Sequence, residues 1–150
     1  TWRLREVGTW DASVDVFVGP PSPGGGPTHS EGTLVAEAVA DRWLRTRFLN
    51  DSSGFNGAGL YGNDALKNHP VAVWVDTQTT FVTVGKGRWD GENVVDYAFE
   101  AEVPGKGKLA WREAHIRVSD DEKRFESFFE KPDGGALHIM TIVYRRRRPH

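Results

Sequence analysis

Four side chains in this 150-residue sequence, Arg42, Asp76, Arg112 and His138, are the candidates for catalytic or anchoring chemistry. Alternation along their segments predicts that both arginines point to the inside of the fold, where a charge must be paired. A guanidinium there could hold an anion or a carbonyl oxygen. Asp76 could act as a general base if burial raises its pKa. His138 could move a proton or ligate haem iron.

Each of these residues also has a structural interpretation. The two arginines could form an internal ion-pair network with Asp76 or Glu102, which would fix the fold without binding anything. His138 shares its alternation face with Met140, Ile142 and Tyr144, and it could be a hydrogen-bonded core or rim histidine. The sequence leaves both interpretations open.

Large apolar side chains supply the walls of the predicted pocket. The composition is rich in aromatics, with six Trp, eight Phe and three Tyr. Most aromatic side chains serve ordinary packing, and some should line a cavity. The expected ligand-binding residues are Phe48, Tyr61, Trp74, Tyr97, Phe99, Met140 and Tyr144.

Several other chemistries are not supported. There is no cysteine, and the five histidines show no His-x-His or His-x-x-x-His spacing, so a cysteine nucleophile or preorganised zinc site is not expected. Gly-x-Ser-x-Gly is absent. Two Gly/Lys-rich segments, 84–88 and 105–108, do not match a phosphate loop and are interpreted as hairpin turns. The net charge of −2 argues against nucleic acid, and we expect no nucleic-acid partner.

The elements that position these residues are mostly short strands. From Gly8 to Val18 every second residue is apolar or glycine, which predicts a half-buried strand with Trp10 facing inward. Four prolines and four glycines then fill residues 19–27, which cannot pair in a sheet and form a surface loop. Residues 37–48 fit a short helix or two strands that pivot near Ala40.

Further strands are predicted at short spacing between turn signals. Their ranges are 30–38, 42–49, 55–62, 70–76, 79–85, 93–103, 109–118, 123–131 and 136–146. With the first strand this makes about ten, and the pattern does not decide which face of the last one is buried. The predicted fold is all-β, an up-and-down antiparallel barrel of about ten strands that forms a single domain over residues 1–150, with a basic tail at 147–150.

Two sets of motifs carry a family resemblance. Gly8-Thr9-Trp10 with the late Tyr144-Arg145-Arg146 resembles the lipocalin-type (calycin) barrel, in which an arginine lies over the plugging tryptophan. The order of Leu4 to Trp10, residues 41–44, 62–64, 74–76, Arg112 and residues 144–146 resembles the bacterial domain-of-unknown-function family numbered 1579. Asn63 and Asp41 depart from that family, which usually has Tyr and Gly there. The family is similar in layout to nitrobindin-like barrels, some of which carry haem.

Three functional hypotheses follow. The first is binding of a small, largely apolar or aromatic molecule inside the barrel, which is entered near the Pro/Gly-rich loop. The second is a cofactor-free isomerase, cyclase or lyase acting on a small aromatic or carbonyl compound, so whether the protein is an enzyme stays open. The third is haem binding through His138; otherwise no cofactor or metal is expected. No apolar run approaches membrane-spanning length. We expect a cytoplasmic protein without a membrane partner, for which a homodimer is conceivable.

Overall fold

The computed structural model describes residues 2–19 and 24–148. A 3₁₀ helix, Trp2–Glu6, precedes the strands. The ten strands are β1 Gly8–Val16, β2 Thr28–Val39, β3 Trp43–Asn50, β4 Asn56–Asp64, β5 His69–Asp76, β6 Thr83–Trp89, β7 Val94–Val103, β8 Gly107–Arg117, β9 Glu122–Glu130 and β10 Ala136–Arg146.

The strands form one closed antiparallel barrel. Each strand pairs with its neighbours in the chain, and β1 pairs with β10 to close the sheet. Closure leaves no unpaired strand edge among these ten strands, so the backbone polar groups of every strand have partners on both sides. The predicted all-β, ten-stranded up-and-down barrel is confirmed.

Alternation sets the inside of the barrel. On β1 the side chains of Trp10, Ala12 and Val14 are buried, as predicted. On β3 every second residue from Leu44 to Asn50 is buried, and the intervening ones are exposed. Successive side chains on a strand point to opposite faces, so one residue of each pair lies in the core.

A tight turn settles the ambiguous segment 37–48. Ala40 and Asp41 have φ values of 54° and 50°, and the Arg42 amide donates to the Val39 carbonyl over 3.2 Å. Two successive positive-φ residues are typical of a type I′ turn, which here lies within a three-residue connection between Val39 and Trp43. The interpretation as two strands is confirmed.

One end of the barrel is closed by the 3₁₀ helix and Trp10. The Trp10 indole donates from Nε1 to the Glu6 carbonyl at 2.9 Å, and its ring lies 4.2 Å from the Arg146 guanidinium carbon. Arg146 also donates to the carbonyls of Val7 and Arg5, at 2.6 and 2.8 Å. The expected stacking of a late arginine on the first-strand tryptophan is confirmed. Through Arg146 it connects the end of β10 to the 3₁₀ helix and the start of β1.

The sixth strand lies later in the sequence than predicted. It spans Thr83–Trp89 rather than 79–85, so segment 84–88 is strand and not a hairpin turn. Its glycines face inward beneath aromatic rings: a Cβ at Gly85 would lie 2.6 Å from Phe99, and one at Gly87 would lie 2.9 Å from Tyr97. Glycine is needed at these two positions because the aromatic rings of β7 pack directly on the backbone of β6. The segment 105–108 does contain the predicted turn, between β7 and β8.

Candidate functional site

The two ends of the barrel interior differ in packing. At the end with the 3₁₀ helix, inward side chains are fully enclosed, with Trp10 and Tyr97 each 1% exposed and Leu44 at 0%. At the opposite end, five large inward-facing side chains stay partly exposed: Trp74, Trp111, Phe125, Phe129 and Met140. Inward side chains can keep contact with solvent only if the barrel is open there. We call this group the aromatic cup.

Rigid aromatic contacts support the cup. Trp111 stacks on the buried Phe99 with ring centroids 5.4 Å apart and planes 4° apart. Trp74, Phe125 and Met140 pack against the buried cluster that contains Trp10 and Phe48. All seven residues predicted to bind a ligand face the interior. Trp74 and Met140 lie in the cup itself, and Phe48, Tyr61, Tyr97, Phe99 and Tyr144 are buried behind or beneath it.

Asp76 ends β5 at the rim of the cup. One carboxylate oxygen accepts from Trp74 Nε1 at 2.7 Å, and the other accepts from the amides of Gln78 and Thr79, both at 2.8 Å, and from the Thr79 hydroxyl at 3.1 Å. Four donors hold the carboxylate in place. Asp76 therefore fixes the Trp74 ring and the turn after β5, and it has little capacity left for proton transfer.

Glu113 and His115 are the polar groups at the floor of the cup. They are successive inward residues of β8, opposite Tyr97 and Val95 of β7. Glu113 Oε2 lies 3.8 Å from His115 Nε2, and the two side chains are 19% and 13% exposed. Burial, and secondly the negative charge of Asp76, raise the pKa of Glu113 to about 8, so this carboxyl is mostly protonated at neutral pH.

His115 is a neutral imidazole within a ring of aromatics. Its ring centroid lies 5.0 Å from that of Tyr97 and 5.3 Å from those of Tyr61 and Phe125. Burial, reinforced by the charges of Arg3 and Lys123, holds its pKa well below the usual range. Among the described residues no group is placed to hydrogen-bond its Nε2. A protonated acid thus lies beside an available base.

A buried ion network underlies this pair. Glu6 accepts from Lys123 Nζ at 2.7 Å and lies 2.9 Å from Arg3 Nε. Burial alone would raise the pKa of Glu6, and the two cations outweigh that effect and lower it. The Lys123 ammonium also lies 4.8 Å from the Trp10 ring and 5.1 Å from the Tyr144 ring. The closed end of the barrel is therefore filled by a buried ion network of Arg3, Glu6 and Lys123, in which the charges are paired.

The prediction that Arg42 faces the interior is wrong. It follows the two positive-φ residues of the turn between β2 and β3 and is exposed. The predicted strand 42–49 began at Arg42, whereas β3 begins at Trp43 and Arg42 belongs to the turn. Arg42 therefore lies outside the barrel, at the end opposite to the rim where Asp76 lies.

The prediction for Arg112 is also wrong, because the faces of β8 are reversed. Trp111 opposes the buried Phe99 and therefore faces inward, whereas Arg112 opposes the exposed Ala98. The Arg112 guanidinium carbon lies 5.5 Å from the Phe128 ring on the outer surface. Both faces of this strand mix apolar and charged residues, so alternation could not choose between them.

A β-bulge removes His138 from the face that it was predicted to share with Met140, Ile142 and Tyr144. The register with β9 shifts between His138 and Met140, so that one extra residue separates them. Met140 packs against the core, whereas His138 opposes Phe128 on the outer face. The imidazole stacks on Phe128, with ring centroids 4.8 Å apart, and lies 4.6 Å from Phe17.

His138 does not suit the haem hypothesis. Its Nε2 lies 3.0 Å from Thr141 Oγ1 and 3.2 Å from the Met140 carbonyl, and aromatic rings flank the imidazole. An axial ligand for haem inside the barrel must point inward, whereas this imidazole lies on the outer face.

The structure therefore does not bring the four predicted catalytic residues together. Only Asp76 lies at the cup. Sequence analysis passed over Glu113 and His115, although both lie on a strand that it had identified. The signal available to it was weak: the two acid–base side chains share one alternation face with Trp111.

The mouth of the barrel includes the Pro/Gly-rich loop, of which residues 20–23 lie outside the described part. The described portion forms a small pocket of about 270 Å³ against the end of β1. The pocket is lined by Val16, Phe17, Val18, Gly19, Gly25, Gly26 and Pro27. In the basic tail, Arg147 and Arg148 pair with Asp11 and Asp121; residues 149 and 150 lie outside the described range.

Among the described residues, no three His, Asp or Glu side chains converge as metal ligands. None of the helices in residues 2–19 and 24–148 combines the length and hydropathy needed to cross a bilayer.

Comparisons with known proteins identify a family and a shared fold. A family model described as "Protein of unknown function (DUF1579)" matches residues 2–146. The chain is similar to the crystal structure of Rv2717c from M. tuberculosis, with a TM-score of 0.61 and 14% identity over 96% of this chain and 94% of that one. A redesigned β-barrel matches with a TM-score of 0.41 and 14% identity, over 97% and 96% of the two chains. No curated protein sequence matches.

Proposed function

The chain belongs to the DUF1579 family of proteins of unknown function, and from the geometry of its barrel we propose that it binds a small, largely apolar or aromatic molecule in the aromatic cup. The barrel fold is compatible with ligand binding. Binding sites for small molecules are concave and mostly apolar, with few polar groups that fix orientation. The cup, with Glu113 and His115 at its floor, has this composition.

One observation carries the proposal: inward-facing aromatic side chains at one end of the barrel remain accessible. Phe129 is 38% exposed and Trp74, Trp111 and Phe125 are half-buried, although all four point into the barrel. Covering such surface with an apolar ligand is favourable by about 25 cal/mol per Å². The closed end offers no comparable surface, because its inward side chains are already packed.

The test uses N-phenyl-1-naphthylamine, a neutral fluorophore that brightens in apolar sites. Ala101→Trp should block the cup, because Ala101 is the next inward residue of β7 toward the mouth after Phe99. Val84→Trp is the matched control, since Val84 is exposed on the outer face of β6. We expect wild type and Val84→Trp to bind alike and Ala101→Trp to lose at least tenfold in affinity. No binding to wild type, or equal binding to all three proteins, would overturn the proposal.

A second candidate function is acid–base catalysis on a small carbonyl or aromatic compound without a cofactor. The specific observation in its favour is the neutral Glu113 carboxyl 3.8 Å from the neutral His115 imidazole. Groups of this kind could donate a proton to a carbonyl oxygen and remove one from the adjacent carbon. Accelerated exchange of the α-protons of 2-acetylnaphthalene into D₂O, lost in Glu113→Leu, would support it. No acceleration over buffer would overturn it.

A further inference from the structure

We propose that the ligand of the aromatic cup is a neutral carbonyl compound whose oxygen accepts a hydrogen bond from the inward-facing carboxyl group of Glu113. The inference rests on the proposed function above and names the chemical class of its ligand. It assigns Glu113 as the polar anchor of the site, with the His115 imidazole 3.8 Å from its carboxyl oxygen.

The position of Glu113 makes it reachable from the cup. It faces inward on β8 between Tyr97 of β7 and Ser127 of β9, to which it is directly opposed. Trp111, the preceding inward residue of the same strand, belongs to the cup, and His115, the following one, belongs to the floor. The Glu113 side chain keeps 19% exposure one inward position from the cup residue Trp111.

Among the described residues, no Lys or Arg side chain pairs with the Glu113 carboxyl, whose one recorded ionic contact is with His115. Arg3 and Lys123, beneath it, both contact the Glu6 carboxylate. His115 is neutral for the reasons given above. Asp76 contributes a negative charge from β5, and Tyr61, Tyr97 and Tyr144 contribute hydroxyls whose pKa values burial raises. A buried carboxyl with no cationic partner retains its proton and acts as a donor.

This arrangement discriminates between ligand classes. A carboxylate ligand would place a second negative charge near Asp76 in a low-dielectric site. An ammonium ligand would need a free carboxylate, and the oxygens of Asp76 already accept from Trp74, Gln78 and Thr79. A neutral carbonyl oxygen adds no charge beside Asp76 and can accept a hydrogen bond from the Glu113 carboxyl.

Four naphthalenes of nearly equal shape separate these classes: 2-acetylnaphthalene, 2-isopropylnaphthalene, 1-(2-naphthyl)ethylamine and 2-naphthoic acid. Affinities are measured by quenching of tryptophan fluorescence at pH 6 and at pH 9.5. At pH 6 the ketone should bind wild type about tenfold more tightly than the hydrocarbon. At pH 9.5 the ratio should fall to about one, because the ionised carboxylate no longer has a proton to donate.

Two variants of the same position complete the test. Glu113→Gln keeps a donor that does not titrate, so the preference for the ketone should persist at both pH values. Glu113→Leu removes the donor and should bind ketone and hydrocarbon equally, with circular dichroism confirming that the barrel is intact.

The outcomes separate the two proposals. The anchoring role of Glu113 is refuted if the hydrocarbon binds wild type as tightly as the ketone does. It is also refuted if the ketone still binds more tightly than the hydrocarbon in Glu113→Leu. In either case the proposal that the cup binds an apolar molecule stands. A preference for the amine or the acid over the ketone also refutes it. If none of the four probes binds wild type, both proposals fall.

Discussion

Lys123 and Glu6 are 117 positions apart in the chain, and Lys123 Nζ lies 2.7 Å from Glu6 Oε1 at the closed end of the barrel. Both side chains are buried, at 8% and 6% exposure. The contact joins the start of β9 to the 3₁₀ helix. It thereby holds the helix over the barrel end, beneath the floor on which Glu113 and His115 lie.

Replacing Lys123 by methionine should destabilise the fold. Met fills similar space but leaves Glu6 with Arg3 alone, and breaking a buried ion pair typically costs about 3–5 kcal/mol. The free energy of unfolding, measured in urea, should fall by an amount in that range. Lys108→Met is the control: its ion pair with Glu100 is exposed, so unfolding should be unchanged. Equal stability of the two variants would contradict a stabilising role for the buried contact between Lys123 and Glu6.

Gly57→Ala should damage the cup. Gly57 of β4 is overlaid by the indole of Trp74, and an added Cβ would overlap that ring. The displaced indole would lose its 2.7 Å hydrogen bond to Asp76. We expect changed tryptophan emission and weaker binding of N-phenyl-1-naphthylamine, by about fivefold to tenfold. Gly24→Ala, where a Cβ meets open space, is the matched control and should behave as wild type.

The stability of the protein should depend on pH through Glu113. Its pKa of about 8 lies above the ordinary value of 4.5, so the folded state holds a proton that the unfolded state has released. The stability that this bound proton gives to the folded state is fully present below pH 4.5 and is lost as pH rises through 8. Between pH 6.5 and 8, the unfolding free energy of wild type should fall relative to Glu113→Gln by up to about 2 kcal/mol.

The comparison with Glu113→Gln removes the contributions of other groups. His115 acts in the opposite sense, because its lowered pKa makes stability rise with pH up to about 6.5. The raised pKa of His29, which bonds Asp15 and Glu31, is the same in both proteins. Parallel pH profiles for the two proteins would show that Glu113 is not held neutral by the fold.

Alanine at His138 or Arg112 should leave ligand binding unchanged. Both side chains lie on the outer face, where they contact Phe128 from opposite sides of β9. The affinity for N-phenyl-1-naphthylamine should stay within twofold of wild type in each variant. Phe125→Ala, which removes part of the cup from the inner face of β9, should weaken it severalfold. A large loss in His138→Ala would show that the site lies outside the barrel.

Local patterns in the sequence were sufficient to predict the barrel. Period-two alternation and glycine-rich or aspartate-rich turns are properties of neighbouring residues, and they predicted ten strands with β1 and β7 correctly oriented. The contact between Trp10 and a late arginine was expected from the resemblance to lipocalin-type barrels and not from alternation. All seven predicted pocket residues face the interior, but only Trp74 and Met140 of the five cup residues were among them.

The polar chemistry was decided by the tertiary structure. A single bulge at the start of β10 reverses the orientation of His138 relative to Met140, and nothing in the local sequence announces it. On β8, where both faces carry charges, only the opposing Phe99 and Tyr97 determine that Glu113 faces inward. The raised pKa of Glu113 comes from its burial and from Asp76 of β5, and only closure of the barrel produces that burial and brings Asp76 near.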